Sequence, residues 1–144
     1  MTKLSNPPSR EKGKRWYCGP FVIAAVTGFS FEPIRSAINR AKGRPISRGV
    51  CSVQTQELRK AFKELGWDST VTYHHAENPK MRLKDFMKSL DPDDKDIYVV
   101  YITGHYVAVQ GDTFVDTYSK HKVSTVYSPQ AGKTVKQVYR MTKV

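Results

Sequence analysis

Cys18 and His105 are the two residues of this chain whose types and settings fit covalent chemistry. Cys18 stands in the segment Trp16-Tyr17-Cys18-Gly19-Pro20, directly ahead of the apolar run Phe21-Val22-Ile23-Ala24-Ala25-Val26. That pattern predicts a cysteine in the first turn of a helix. There, unpaired backbone N–H groups and the positive end of the helix dipole favour a thiolate over a thiol. His105 opens the strand-like run His105-Tyr106-Val107-Ala108-Val109 behind a glycine. A thiol with an imidazole to take its proton is the machinery of thiol-based acyl transfer.

A third group that orients the imidazole makes such a pair more effective. Gly111-Asp112 reads as a two-residue hairpin loop between Tyr106–Gln110 and Thr113–Tyr118. This loop pairs Gln110 with Thr113 and, by extension, Val107 with Asp116. Because side chains alternate between faces, His105, Val107 and Asp116 are expected on one face. His105 and Asp116 are then diagonal neighbours about 7–8 Å apart at the backbone. Asp116 is therefore the expected third member.

The elements that must hold these residues follow from periodicity and punctuation. A first helix is predicted over Cys18–Thr27, apolar on nearly every side and closed by Gly28. A second runs from about Pro33 to Lys42, with Ile34, Ala37, Ile38 and Ala41 as its inward stripe and Gly43 as its stop. Thr55 is expected to cap a third helix reaching about Leu65. A strand follows over Asp68–His75 and a short helix over Leu83–Leu90. Ile97–Ile102 is a continuous apolar run suited to a central strand, and Val123–Tyr127 and Val135–Met141 are further strand candidates. Helices first and an antiparallel sheet after give an α+β domain over residues 16–144, with residues 1–15 as an extended basic arm.

Tyr-Cys-Gly-Pro opening an Ala-rich helix, then Gly-His-Tyr-Val-Ala-Val with an acidic residue on the next strand, resembles the papain-like cysteine peptidases. The compact bacteriocin-processing group is the most similar in flavour. The stretch Gly49-Val50-Cys51-Ser52-Val53, leading to Glu64-Leu65-Gly66-Trp67, is similar to that group's linking region. The resemblance implies a papain-like fold, a Cys18 nucleophile, a His105 general base and Asp116 as third member. It also implies an upstream glutamine that donates to the oxyanion. This chain has Lys12 six residues before Cys18 and no glutamine upstream of it. The Cys18 backbone N–H supplies one donor, and the second is left open among Asn6, Lys12, Lys14, Trp16 and Tyr17. Trp16, Tyr17 and Tyr106 either line a substrate groove or serve as core and rim aromatics.

The remaining chemistry-bearing residues read as ordinary. Cys51 sits in a loop without an evident partner, and only two cysteines point away from a disulfide scaffold. His74 and His75 are adjacent in a strand and point to opposite faces, so neither a metal site nor a cofactor is expected. The net charge is +11, and 13 of the 24 basic but only 5 of the 13 acidic residues lie within residues 1–72. Arg10, Lys12, Lys14 and Arg15 crowd the approach to Cys18, and Arg40, Lys42, Arg44 and Arg48 form a second cluster. Such a field suits a polypeptide substrate of acidic character. The alternative is a catalytically weak papain-like module that binds nucleic acid or an acidic protein through its basic face. Met1 to Arg15 lacks an apolar core, and no run approaches membrane-spanning length, so a cytoplasmic protein without membrane contact is expected.

Overall fold

The computed structural model describes residues 3–5, 7, 10–11, 14–15, 17–50, 52–74, 80–115, 123–124 and 132–144. Two short strands, β1 (Arg10–Glu11) and β2 (Lys14–Arg15), pair antiparallel just before the helical region. The N-terminal segment is therefore not a simple extended arm. Leu4 is buried in the main core, and the Ser5 N–H donates to the Ala25 carbonyl at 2.8 Å.

Three helices come next. Helix α1 (Cys18–Thr27) has the predicted bounds. Pro20 occupies its first turn, where a missing N–H costs nothing. Gly28, at φ 77°, ends it by donating to the Ala24 carbonyl. Every residue from Gly19 to Val26 is buried. Helix α2 (Phe31–Lys42) begins two residues earlier than predicted, with Ser30 at its N-cap position and Pro33 in its first turn. Helix α3 (Thr55–Glu64) is capped at Gln54 and not at Thr55. The Glu57 carboxylate reaches back to accept the Gln54 N–H at 2.9 Å, which satisfies a donor that the helix leaves orphaned.

The sheet is built from β3 (Trp67–His74), β4 (Ile97–Ile102), β5 (His105–Gln110), β6 (Thr113–Val115), β7 (Val123–Ser124) and β8 (Val135–Lys143). Helix α4 (Leu83–Ser89) lies between β3 and β4 in the chain. The strand order is β3-β8-β4-β5-β6-β7 and each pairing is antiparallel. The α+β expectation holds, with one feature that local pattern did not foretell: β8 returns to lie between β3 and β4.

Both faces of this sheet are covered. Val99, Tyr106, Ala108, Val115, Tyr139 and Met141 pack toward α1–α3. Val100, Ile102, Val107, Val109, Phe114 and Val138 pack against Leu83, Phe86 and Met87 of α4. Burial on two faces is why β4 and β5 read as nearly unbroken apolar runs. Gln110 pairs with Thr113, Val109 with Phe114 and Ala108 with Val115, the predicted register. Gly111 takes a positive φ of 61° at the first loop position, as a type II′ turn requires. A Cβ there would also collide with the Pro92 carbonyl. Among the described residues, no single helix is long and apolar enough to cross a membrane.

Candidate active site

The first turn of α1 and the first residue of β5 meet at one end of the sheet. Thr103 and Gly104 form the tight connection from β4, Gly104 adopting φ 70°, and His105 pairs with Ile102. Cys18 carries a free thiol that hydrogen-bonds to the His105 side chain. Val107 joins the core on the α4 side, yet His105 contacts the helix packed on the other side. A side chain at the rim of a sheet is not held to the alternation that governs its interior, so the shared-face expectation fails for this pair.

Cys18 is half-buried, and burial alone pushes its thiol pKa up. Four other effects pull it down: the hydrogen bond with His105, the Tyr106 backbone N–H, the charge of the imidazolium and the Gly19 backbone N–H. The net result is a thiol pKa below its ordinary value. The Tyr106 N–H is a thiolate partner that sequence reasoning missed, since nothing in a strand's pattern marks which backbone amide will face a sulfur.

Cys18 and His105 open onto a groove of about 610 Å³. Its wall is the segment Ser52-Val53-Gln54-Thr55-Gln56 together with Tyr101, Gly104 and Tyr106. Close packing holds that segment. A Cβ on Gly19 would lie 2.7 Å from a Val53 methyl, so only glycine fits behind the cysteine. The Tyr106 hydroxyl donates to the Val53 carbonyl at 3.0 Å, and its ring lies 5.0 Å from that of Tyr101. Burial, followed by the neighbouring Tyr101 and Cys18, raises the Tyr106 phenol well above its ordinary pKa, so it remains a neutral donor. Of the aromatic candidates, Tyr106 lines the groove, whereas Tyr17 holds the N-cap position of α1 and lies outside the lining. Lys12, Trp16, Cys51 and Asp116 lie outside the described residues.

Among the described residues of the groove lining, His105 is the one Lys, Arg, His, Asp or Glu side chain. The second basic cluster lies elsewhere and is largely spent on internal partners. Arg40 forms a two-point pair with Glu64, Lys42 contacts Glu57 at 2.8 Å, and Arg44 binds the Asn39 side chain and the Gly49 carbonyl. The fully buried Asn39 in turn donates to the Ile46 and Arg48 carbonyls, fixing the loop that leads to the groove wall. Among the described residues there is no cluster of three or more His, Cys, Asp or Glu able to hold a metal.

No family model, no curated protein and no solved structure matches this chain.

Proposed function

We propose that the chain is a papain-like thiol hydrolase that cleaves a peptide or amide bond in a polypeptide through a thioester on Cys18. One observation carries the reading: a cysteine at a helix N-terminus, hydrogen-bonded to a histidine, both lining a groove of about 610 Å³. His105 takes the thiol proton, and the thiolate attacks the substrate carbonyl carbon. The Cys18 N–H lies in the first turn of α1, without an intrahelical acceptor, and is free to meet the developing oxyanion. His105 gives its proton to the amide nitrogen as the C–N bond breaks and the amine leaves. Water then attacks the thioester, passing a proton to His105. The thiolate departs, takes that proton back, and the carboxylic acid is released. The resemblance to the papain-like peptidases alone assigns Asp116 the role of orienting His105, since the shared-face argument from the hairpin does not hold for His105 and Val107.

The groove wall offers hydroxyls and carboxamides from Ser52, Gln54, Thr55 and Gln56, which suit the polar backbone of an extended peptide. Among its described residues it offers no cation besides His105.

The test is the pH dependence of alkylation by iodoacetamide in a Cys51→Ser background, with and without His105→Ala. The expected result is an apparent Cys18 pKa well below the ~8.5 of a free thiol, lost when His105 is removed. Reaction at neutral pH no faster than that of a free thiol overturns the reading.

A further inference from the structure

A group of basic side chains gathers away from the groove. Helix α3 presents Arg59, Lys60 and Lys63 where its second half crosses the start of β3, around a depression of about 240 Å³ floored by Trp67. Lys60 and Lys63 are exposed and have no ion-pair partner among the described residues. Arg59 is held in place: its Nε donates to the Ser69 hydroxyl at 2.8 Å, a second nitrogen donates to the Ser69 carbonyl at 3.1 Å, and its guanidinium lies 5.2 Å from the Tyr139 ring. On the other side of Trp67 a second depression, of about 180 Å³, is rimmed by Lys95 and Lys143. Five cations thus surround one tryptophan, against the two carboxylates Asp68 and Asp96.

Strand register fixes where this corner lies. Ile97, beside Lys95, is the first residue of β4, and Ile102, the partner of His105, is the last. The two sites are therefore separated by roughly the length of that strand, about 17 Å.

We propose that this corner binds the phosphate backbone of double-stranded nucleic acid, without reading its sequence. The proposal goes beyond the hydrolase reading and does not depend on it. The cations are spread over two shallow depressions, which matches a ligand whose negative charge recurs along its length. Trp67 is only 4% exposed, so no aromatic face is offered for base stacking, the usual device for gripping single strands. Acidic peptides commonly anchor an apolar side chain in a pocket as well. Here the apolar residues of the lining, Trp67, Ile97 and Met141, are all buried.

The experiment is fluorescence anisotropy of a labelled 20-base-pair duplex of arbitrary sequence, between 50 and 200 mM salt. Three to five phosphate contacts give a slope of log K against log salt of about −3 to −4.5. Lys60→Glu/Lys63→Glu is expected to weaken binding at least tenfold and to flatten the slope by about 2. Lys60→Gln/Lys63→Gln is expected to act in the same direction with a smaller loss. Lys84→Glu/Lys88→Glu makes the same charge change on exposed positions of α4, across the sheet, and is expected to cost less than threefold. Cys18→Ala is expected to leave binding unchanged. Equal losses from the two charge-reversal pairs overturn the proposal, because total charge then suffices. Absence of binding at 50 mM salt overturns it as well, as does a labelled polyglutamate of matched charge binding as tightly as the duplex.

Discussion

Val53 packs against the backbone of Gly19 so closely that the residue after Cys18 can carry no side chain. Gly19→Ala gains a little helix propensity, at most ~1 kcal/mol, but drives a methyl to 2.7–2.9 Å from Val53. Both contacts are to a branched side chain whose backbone carbonyl is already tied to Tyr106, so the wall cannot retreat cheaply. Overpacking of this kind costs about 1–3 kcal/mol, and the clash should win. The expected outcome is a lower denaturation midpoint for Gly19→Ala. The cost should shrink in a Val53→Ala background, and a double-mutant cycle in urea measures that coupling.

Tyr106 touches the site with both its ends. Its backbone N–H faces the Cys18 sulfur, and its hydroxyl holds the groove wall through Val53. Tyr106→Phe separates the two, since it keeps the amide and leaves the Val53 carbonyl unpaired. A stability loss of about 1–3 kcal/mol is expected from that orphaned acceptor. The alkylation pH profile of Cys18 should stay where it is. For any peptide substrate found, KM should rise more than kcat falls, because the wall loosens while the dyad remains. A shifted alkylation profile would instead mean that the ring itself positions the thiol.

What the sequence made legible was local. Helix α1 was bounded by Pro20 and Gly28, β4 by its unbroken apolar run, and the β5–β6 register by Gly111-Asp112. Cys18 and His105 could be picked out because a helix start and a strand start each have a local signature. The groove wall could not, since Ser52–Gln56 has no periodicity and owes its place to Gly19 and Tyr106. The central position of β8 is likewise a matter of long-range pairing that no window of residues encodes. The Arg40–Arg48 cluster read as a free basic patch because its partners Glu57 and Glu64 lie 15 and 24 residues further along the chain.

The lowered Cys18 pKa is also a statement about stability. A group whose folded pKa is depressed stabilises the fold above its unfolded value, and that contribution fades as pH falls through the folded value. Compared with Cys18→Ser, which is similar in shape and does not ionise in this range, the parent should gain stability as pH rises toward ~8.5. Above that the difference should level off. Thermal melts of the two proteins at matched ionic strength between pH 5 and 9.5 measure it. A difference that stays flat with pH would show that the thiolate is no better held in the folded protein than in the unfolded chain.

Glu57 links the helix cap of the groove wall to the Arg40–Lys42 region. Partial burial raises its carboxyl pKa, but the Lys42 ammonium and the Gln54 N–H lower it further, for a net fall below the ordinary glutamate value. Glu57→Gln removes the charge from both contacts. Since the pair is only partly buried, the expected cost at pH 7 is about 1 kcal/mol. With a depressed folded pKa, the parent's advantage should persist down to the unfolded glutamate value of ~4.3 and vanish only as pH falls through the folded one. Urea midpoints for parent and Glu57→Gln from pH 7 to pH 2.5 test the sign. Curves that converge already above pH 5 would mean a raised folded pKa and overturn the sign, whereas a gap that persists unchanged to pH 2.5 would place the effect in the shape of the cap and not in its charge.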